Sequence, residues 1–208
     1  MQPRKSKILT TESSLLNFAA WYAMRYFPSL AKLRTALMKK SDNNEAIMAN
    51  VMAEMTQYIS EEKTVEGLVR MYLERGKTER YIRLKLREKQ FDRVVVEAIL
   101  AEYLDQISDW KTYEKTVERK IANMLEKNKS KRFIENTFSR TFSQFSSEIK
   151  ILLERLCPDD TEALRAELAK LTDGHNPSDR KERERIIRKL LSRGFSYDAI
   201  RRIMQNED

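Results

Sequence analysis

Apolar residues recur along this chain at intervals of three and four positions, and strict alternation of apolar and polar residues is nowhere sustained. A spacing of three or four places apolar side chains on one face of an α-helix, whereas a half-buried strand needs a spacing of two. Only four glycines and four prolines are present to form tight turns, and large antiparallel sheets use many such turns. The pattern predicts an all-α protein of short helices joined by polar links.

The predicted helices fall into groups of three. Ser13 or Ser14 is expected to cap the first helix, and Ser29 and Thr78 are expected to cap the middle helices of the first two groups. A new group begins wherever a cap residue and acidic residues precede a fresh apolar stripe. The predicted organisation is a flexible N-terminus at 1–12, then three-helix repeats at 13–59, 60–106, 107–157 (divergent) and 158–208.

The middle helices also resemble one another in sequence. Leu33 and Leu37 align with Ile82 and Leu86 at a shift of 49, and the second pair aligns with Ile186 and Leu190 at a shift of 104. The third group aligns less well. Units this small must stack to bury their apolar faces, so the repeats predict an elongated, curved, right-handed spiral. An ordinary helical bundle in which the leucines match by chance is the alternative.

Charge follows the same period as the predicted repeats. Forty Lys and Arg residues against thirty-two acidic residues give the chain a net charge of +8. Residues 1–40, 76–93, 119–132 and 177–208 each carry a net positive charge, and the segments between them are net negative. The positive segments coincide with the middle helix of each repeat or the residues leading to it. Stacked repeats would line these helices along one side, which suits a polyanion or an acidic protein.

Catalytic and metal chemistry find little support in the sequence. Cys157 and His175 are the only cysteine and histidine, so neither an intramolecular disulfide nor a Cys/His zinc site can form. Phosphate-binding glycine loops and nucleophile motifs are missing. The adjacent pairs Glu61-Glu62 and Asp159-Asp160 are typical of helix starts. We therefore expect a protein that is not an enzyme and needs no cofactor or metal.

The apolar pattern also predicts where the tryptophan side chains lie. Trp21 and Trp110 lie at helical spacing with other apolar residues and are expected in the core.

No stretch approaches the ~20 apolar residues of a membrane span, and the polar residues that follow Lys7 do not form the apolar segment of a signal peptide. The expected location is the cytoplasm, and the expected form is a monomer without membrane contact.

Residues 73–92 resemble the signature of the RecX family. The chain reads Ile82-Arg83-x-x-Leu86-x-x-Lys89-Gln90-Phe91, and the family pattern is (Ile/Leu)-Arg-x-x-Leu-x-x-Lys-Gly-(Ile/Phe), with glycine in place of Gln90. The resemblance covers residues 15–204, continuously in the second repeat and in patches elsewhere. Further stretches similar to family motifs, in the family's order, are 58–63, 109–110 and 190–195.

The resemblance implies a regulatory role. Members of the RecX family bind the RecA recombinase or its nucleoprotein filament, in the helical groove of that filament. They reduce ATP hydrolysis and strand exchange, and some also contact DNA directly. The implied biological setting is recombination, DNA repair and the SOS response.

The candidate binding residues are basic side chains of the predicted middle helices. Arg80, Arg83 and Arg87 share one stripe at spacings of three and four. Arginine suits phosphates and carboxylates equally, so the stripe is predicted to contact DNA phosphates or acidic residues of a filament, unless it is simply a solvated face. Alternatively, the stem of Arg83 packs against the next helix. The full set of candidates is Arg34, Lys39, Lys40, Arg80, Arg83, Lys85, Arg87, Lys89, Arg188, Lys189 and Arg193.

Other functions fit parts of the sequence. A sequence-independent nucleic-acid-binding helical module without a RecA role would use the same basic residues, and its affinity would fall steeply with salt. A helical scaffold for an acidic protein would bind neither DNA nor filaments. The segment 190–203 also suggests a helix-turn-helix, although Gly194 is equally expected as an ordinary helix stop.

Overall fold

The computed structural model describes residues 8–173 and 180–206. Its chain divides into two compact units, the first ending at Asp109 and the second beginning at Trp110. Regular structure in the described residues is helical, without strands, which confirms the prediction of an all-α protein built from three-helix repeats; the spiral remains a prediction. The predicted N-terminal segment is described only from Ile8, and His175 lies outside the described residues.

The first unit contains seven helices among its described residues. These are α1 (Glu12–Tyr26), α2 (Leu30–Lys40), α3 (Glu45–Tyr58), α4 (Glu61–Glu74), α5 (Glu79–Glu88), α6 (Arg93–Glu102) and α7 (Leu104–Ser108). Helices α1 and α3 pack closely around α2, and α4 and α6 pack in the same way around α5. The middle helices of the two repeats are therefore α2 and α5.

The helix starts largely follow the cap residues in the sequence. Ser29 and Ser60 accept hydrogen bonds from Lys32 N and Lys63 N, as an N-cap serine does. Thr78 occupies the N-cap position of α5 without a side-chain bond. Helix α1 begins earlier than expected, since Thr11 is its N-cap and accepts a hydrogen bond from Ser14 N at 3.3 Å.

The aligned apolar positions of the middle helices form the centre of each core. Leu33 and Leu37 of α2 are fully buried, as are Ile82 and Leu86 of α5. Burying one such side chain contributes about 1.5–3 kcal/mol, so these positions hold each triplet together. The residues that complete the first core are Leu15, Ala19, Met48, Val51 and Met55.

The second unit contains six α-helices among its described residues. These are α8 (Lys111–Leu125), α9 (Lys131–Thr141), α10 (Ser146–Leu156), α11 (Thr161–Thr172), α12 (Arg180–Ser192) and α13 (Tyr197–Asn206), with a 3-10 turn at Ser143–Phe145. Helix α10 packs on α8 and α9, and α12 packs on α11 and α13. The middle helices of the third and fourth repeats, both in the second unit, are α9 and α12.

Aromatic rings form part of the core of the third repeat. Phe142, just before the 3-10 turn, and Phe145, its last residue, are buried against Tyr113 with ring centroids 5.5 and 5.3 Å away. The repeat also buries Ile134 and Phe138 of α9, the two positions that align with the other middle helices.

The expectation that Trp21 is a core residue is wrong. Trp21 is 50% exposed, and Phe27 after α1 and Tyr58 of α3 are 52% and 76% exposed. Apolar spacing identifies a face of a helix, but within the described part of the first unit no neighbouring helix covers the side of α1 that carries Trp21. By contrast, Trp110 packs against Phe145 at 5.5 Å. No helix in the described ranges is both long and apolar enough to span a lipid bilayer.

Candidate partner-binding surface

The two middle helices of the first unit meet end to end. Ser29, the N-cap of α2, is fully buried, and its hydroxyl donates to the carbonyl oxygen of Lys89, the C-cap of α5, at 2.8 Å. The same hydroxyl oxygen accepts from Lys32 N at 3.0 Å. Leu30 N donates to Oε1 of Glu61 at 2.6 Å, so the carboxylate that begins α4 caps α2. One serine and one glutamate thus join both repeats.

The second unit contains the same junction. The hydroxyl of the buried Ser130, which caps α9, donates to the carbonyl oxygen of Arg193 at the end of α12 at 2.8 Å. Its oxygen accepts from Phe133 N at 3.2 Å. Lys131 N donates to Oδ2 of Asp160, just before α11, at 2.9 Å. The two units therefore use one construction, in which a serine and an acid connect a pair of triplets.

The turn that follows each junction carbonyl requires a left-handed backbone. Gly194 has φ +91° and Gln90, its equivalent after α5, has φ +63°. Phe195 N and Phe91 N then bond back to the carbonyl oxygens of Leu190 and Leu86, which is the Schellman pattern of helix ends. Glycine takes this conformation without strain, and Gln90 stands where the RecX pattern has glycine.

This junction brings basic residues of both repeats of the first unit together. Lys89 Nζ donates to the carbonyl oxygen of Tyr26 at the end of α1. Burial lowers the pKa of the Lys89 amine, and the charges of Lys32 on α2 and Lys85 on α5 lower it further. The structure therefore places lysines from α2 and α5 around one point, where a bound anion would relieve their mutual repulsion.

Two arginines of α5 extend this charge along an open groove. Arg80 and Arg87 are exposed, and no described residue forms an ion pair with either of them. They line a groove of about 820 Å³ together with Phe91 and Arg93. Their guanidinium groups are available to phosphates or carboxylates of a partner.

Arg83 lies in the same groove but is engaged within the first unit. Its guanidinium bonds to Glu79 of α5 at 2.7 Å and to Glu97 of α6. The hydrogen bond from Arg83 lowers the pKa of Glu97, and the same bond raises the pKa of Arg83. The central residue of the predicted stripe therefore connects two helices, and the residues on either side of it face solvent.

The remaining candidates of the first unit differ in their surroundings. Arg34 and Lys39 are exposed on α2, and no described residue pairs with them. Lys85 pairs with Glu88 at 2.6 Å, which raises the pKa of the lysine. Lys40 Nζ lies 5.3 Å from the centre of the Phe18 ring, a cation–π distance.

The candidates of the second unit divide in the same way. Arg188 and Lys189 are exposed on α12, with Arg188 Nε donating to the carbonyl oxygen of Glu184 at 3.3 Å. Arg193 pairs with Glu167 of α11, a carboxylate that is only 7% exposed. Arg193 thus stabilises the contact between the end of α12 and α11, whereas the side chains of Arg188 and Lys189 reach solvent.

The sequence marked residues 119–132 as net positive, but the candidate set left out a second basic surface in the second unit. Arg132 and Arg140 of α9 are exposed and line a groove of about 580 Å³ with Phe133, Leu191 and Tyr197. The alignment pointed at this helix, since Ser130, Ile134 and Phe138 match Thr78, Ile82 and Leu86. The sequence alignment of the third repeat is poor beyond these positions, so the basic residues of its middle helix were not chosen as candidates.

Residues 159–204 match the family model described as RecX, third three-helix domain. This match supports membership of the RecX family. The matched RecX domain comprises α11 and α12 and most of α13, and it includes Arg188, Lys189 and Arg193. No curated protein and no solved structure gives a significant match to the chain.

The domain match supports a function in general terms only. The RecX family is regulatory and non-enzymatic, and it acts on the RecA recombinase. A role in RecA regulation is therefore supported for this chain, and interaction with RecA follows in the same general sense. The matched domain contributes Arg193, whose carbonyl oxygen accepts from Ser130 outside that domain, so the RecX part of the chain supplies one side of the junction that both units share.

Proposed function

We propose that this protein binds the RecA nucleoprotein filament through the exposed cations of its middle helices, and that binding lowers ATP hydrolysis and strand exchange. The RecX domain match at 159–204 carries the proposal. The arrangement of basic residues supports it, because Arg80 and Arg87 in the first unit and Arg188 and Lys189 in the second are exposed without ion-pair partners among the described residues. The protein acts as a cytoplasmic monomer.

The physical basis of the proposal is a positively charged surface with little internal neutralisation. A RecA filament presents both DNA phosphates and protein carboxylates, and arginine binds either with two hydrogen bonds. The residues that hold the fold, Arg83 and Arg193, already have carboxylate partners. The remaining cations bind the filament, so different side chains are responsible for binding and for stability.

The single-strand-dependent ATPase rate of RecA, measured with substoichiometric amounts of the protein, tests the proposal. We expect the rate to fall and the protein to sediment with filaments. The test variant replaces both Arg80 and Arg87 by Glu. It should fold normally and inhibit RecA less than the unaltered protein does. An unchanged rate together with no sedimentation on filaments would contradict the proposal.

A sequence-independent nucleic-acid-binding role without RecA is the second candidate. The surroundings of Lys89 favour it, because this half-buried amine, which bonds to the Tyr26 carbonyl oxygen, feels the charges of Lys32 and Lys85, and a bound phosphate would relieve that repulsion. In this case DNA is retained equally with and without RecA, and the affinity decreases linearly with salt on a logarithmic scale. Retention that needs RecA excludes this second candidate.

A further inference from the structure

The exposed face of α1 carries a continuous group of aromatic rings. Phe18 lies 5.8 Å from Trp21 and 5.7 Å from Tyr22, and Tyr26 lies 5.7 Å from Trp21 and 4.9 Å from Tyr22, measured between ring centroids. Trp21 is 50% exposed and Tyr26 is 45% exposed, whereas Phe18 and Tyr22 are half-buried against the first core. We name these four residues the α1 aromatic surface. Two exposed rings supported by a half-buried pair form an apolar patch of the kind that marks binding sites.

Lysine side chains lie at both ends of the α1 aromatic surface. At one end, Lys40 Nζ lies 5.3 Å from the centre of the Phe18 ring. At the other end, Lys89 Nζ donates to the carbonyl oxygen of Tyr26, with Lys32 and Lys85 nearby. The surrounding sequence strengthens this charge, because Glu12 is the only acidic residue among the first forty. Trp21 and Tyr26 therefore face solvent within a positive field.

We propose that the α1 aromatic surface binds single-stranded nucleic acid, with unpaired bases stacking on Trp21 and Tyr26 and phosphates contacting Lys40 and Lys89. Aromatic rings combined with cations are the usual means of holding single strands without reading sequence. A duplex hides the faces of its bases, so it lacks the groups that the rings would contact. An acidic peptide could satisfy the lysines but has no flat faces to cover exposed rings.

The size of the surface fits a short single-stranded segment. Helix α1 rises about 12 Å between Phe18 and Tyr26, a length that a few nucleotides of a single strand span. Positive charge at both ends matches a strand that runs along the helix with phosphates spaced beside its bases. The site is separate from the groove of Arg80 and Arg87, and it needs no recombinase.

The intrinsic fluorescence of the full chain provides the test. In a Trp110→Phe variant Trp21 is the only tryptophan, so its emission reports on α1 alone. We expect an oligothymidylate of about 16 nucleotides, the upper end of one binding module, to quench this emission, and added salt to reverse the quenching. A duplex of equal length should quench far less.

Binding of a labelled oligothymidylate to variants gives the second measurement. Trp21→Ala should weaken binding roughly tenfold, the loss of one stacked base, whereas Trp21→Phe should retain most of the affinity. Tyr58→Ala is the matched control, since Tyr58 is 76% exposed but outside the ring cluster. Thermal unfolding of each variant establishes that the fold is unchanged.

Three results would overturn the proposal. These are equal quenching by duplex and single strand, unchanged affinity of Trp21→Ala, and quenching by an oligoglutamate peptide as strong as that by oligothymidylate. The last result would assign the surface to an acidic protein. Because these measurements contain no recombinase, their failure leaves the filament proposal intact, and an unchanged ATPase rate in that assay leaves this proposal intact.

Discussion

Gly194 lies directly against Ser130 in the second unit. A Cβ atom at Gly194 would lie 2.5 Å from Ser130 Oγ and 3.2 Å from the backbone nitrogen of Phe133. The hydroxyl that joins α9 to α12 therefore leaves no room for a side chain at this turn. The equivalent position of the first unit holds Gln90 in a similar left-handed conformation, so the two junctions share their hydrogen bonds, with glycine at one turn and glutamine at the other.

Substitution of Gly194 by Ala should destabilise the second unit. The left-handed φ costs a non-glycine residue about 1–2 kcal/mol, and the contact with Ser130 adds to this cost. Gly67→Ala is the matched control, because its Cβ would meet nothing within 4 Å in the interior of α4, and it should stabilise by about 0.5–1 kcal/mol. Urea unfolding of the two variants should move in opposite directions. Movement in the same direction would contradict the close approach of Gly194 to Ser130.

Replacement of Ser29 by Ala should weaken the junction of the first unit. The substitution removes the cap of α2 and leaves the Lys89 carbonyl oxygen without its hydroxyl donor. The expected loss is about 1–3 kcal/mol of unfolding free energy. Ser13→Ala, at an exposed position of α1, should change it by less than about 0.5 kcal/mol. Equal effects of the two substitutions would show that the buried hydroxyl contributes nothing.

The arginines of α5 should separate binding from stability. Loss of both Arg80 and Arg87 to Ala should reduce filament binding and its salt dependence, with stability changed by less than about 0.5 kcal/mol. Arg83→Ala should instead cost about 0.2–1 kcal/mol, a range reduced by the exposure of its ion pairs, and should affect binding less. Filament sedimentation over a salt series, together with urea unfolding, measures both quantities. The reverse ranking would mean that Arg83 contacts the partner.

Cys157 should be unreactive in the folded chain. Burial raises the pKa of its thiol, and the charge of Asp160 raises it further, while Sγ donates to the Asp159 carbonyl oxygen at 3.3 Å. The unfolded chain therefore loses the thiol proton at a lower pH than the folded chain, so stability decreases as pH rises through the ordinary thiol pKa.

Alkylation by iodoacetamide across alkaline pH measures this effect, since Cys157 is the only cysteine. The midpoint for the native chain should lie above the midpoint in denaturant, which is the internal control. Identical midpoints would place the thiol in solvent.

The sequence alone determined the helices and the residues that centre each core. Apolar spacing and cap residues are local properties, because a helix forms from contacts three and four residues apart. Ser29 could therefore be identified as a cap, and Leu33, Ile82 and Ile186 as equivalent core positions. The basic character of the middle helices was equally visible, because charge is read directly from composition.

The tertiary structure decided which of those basic residues reach solvent. Arg83 meets Glu97 across a turn, Arg193 meets Glu167 from another helix, and Ser29 meets a carbonyl sixty residues away. Trp21 is exposed because no described helix of its unit covers that face, although its spacing is that of a core residue. Periodicity specifies a face within one helix, whereas its neighbours depend on contacts distant in sequence.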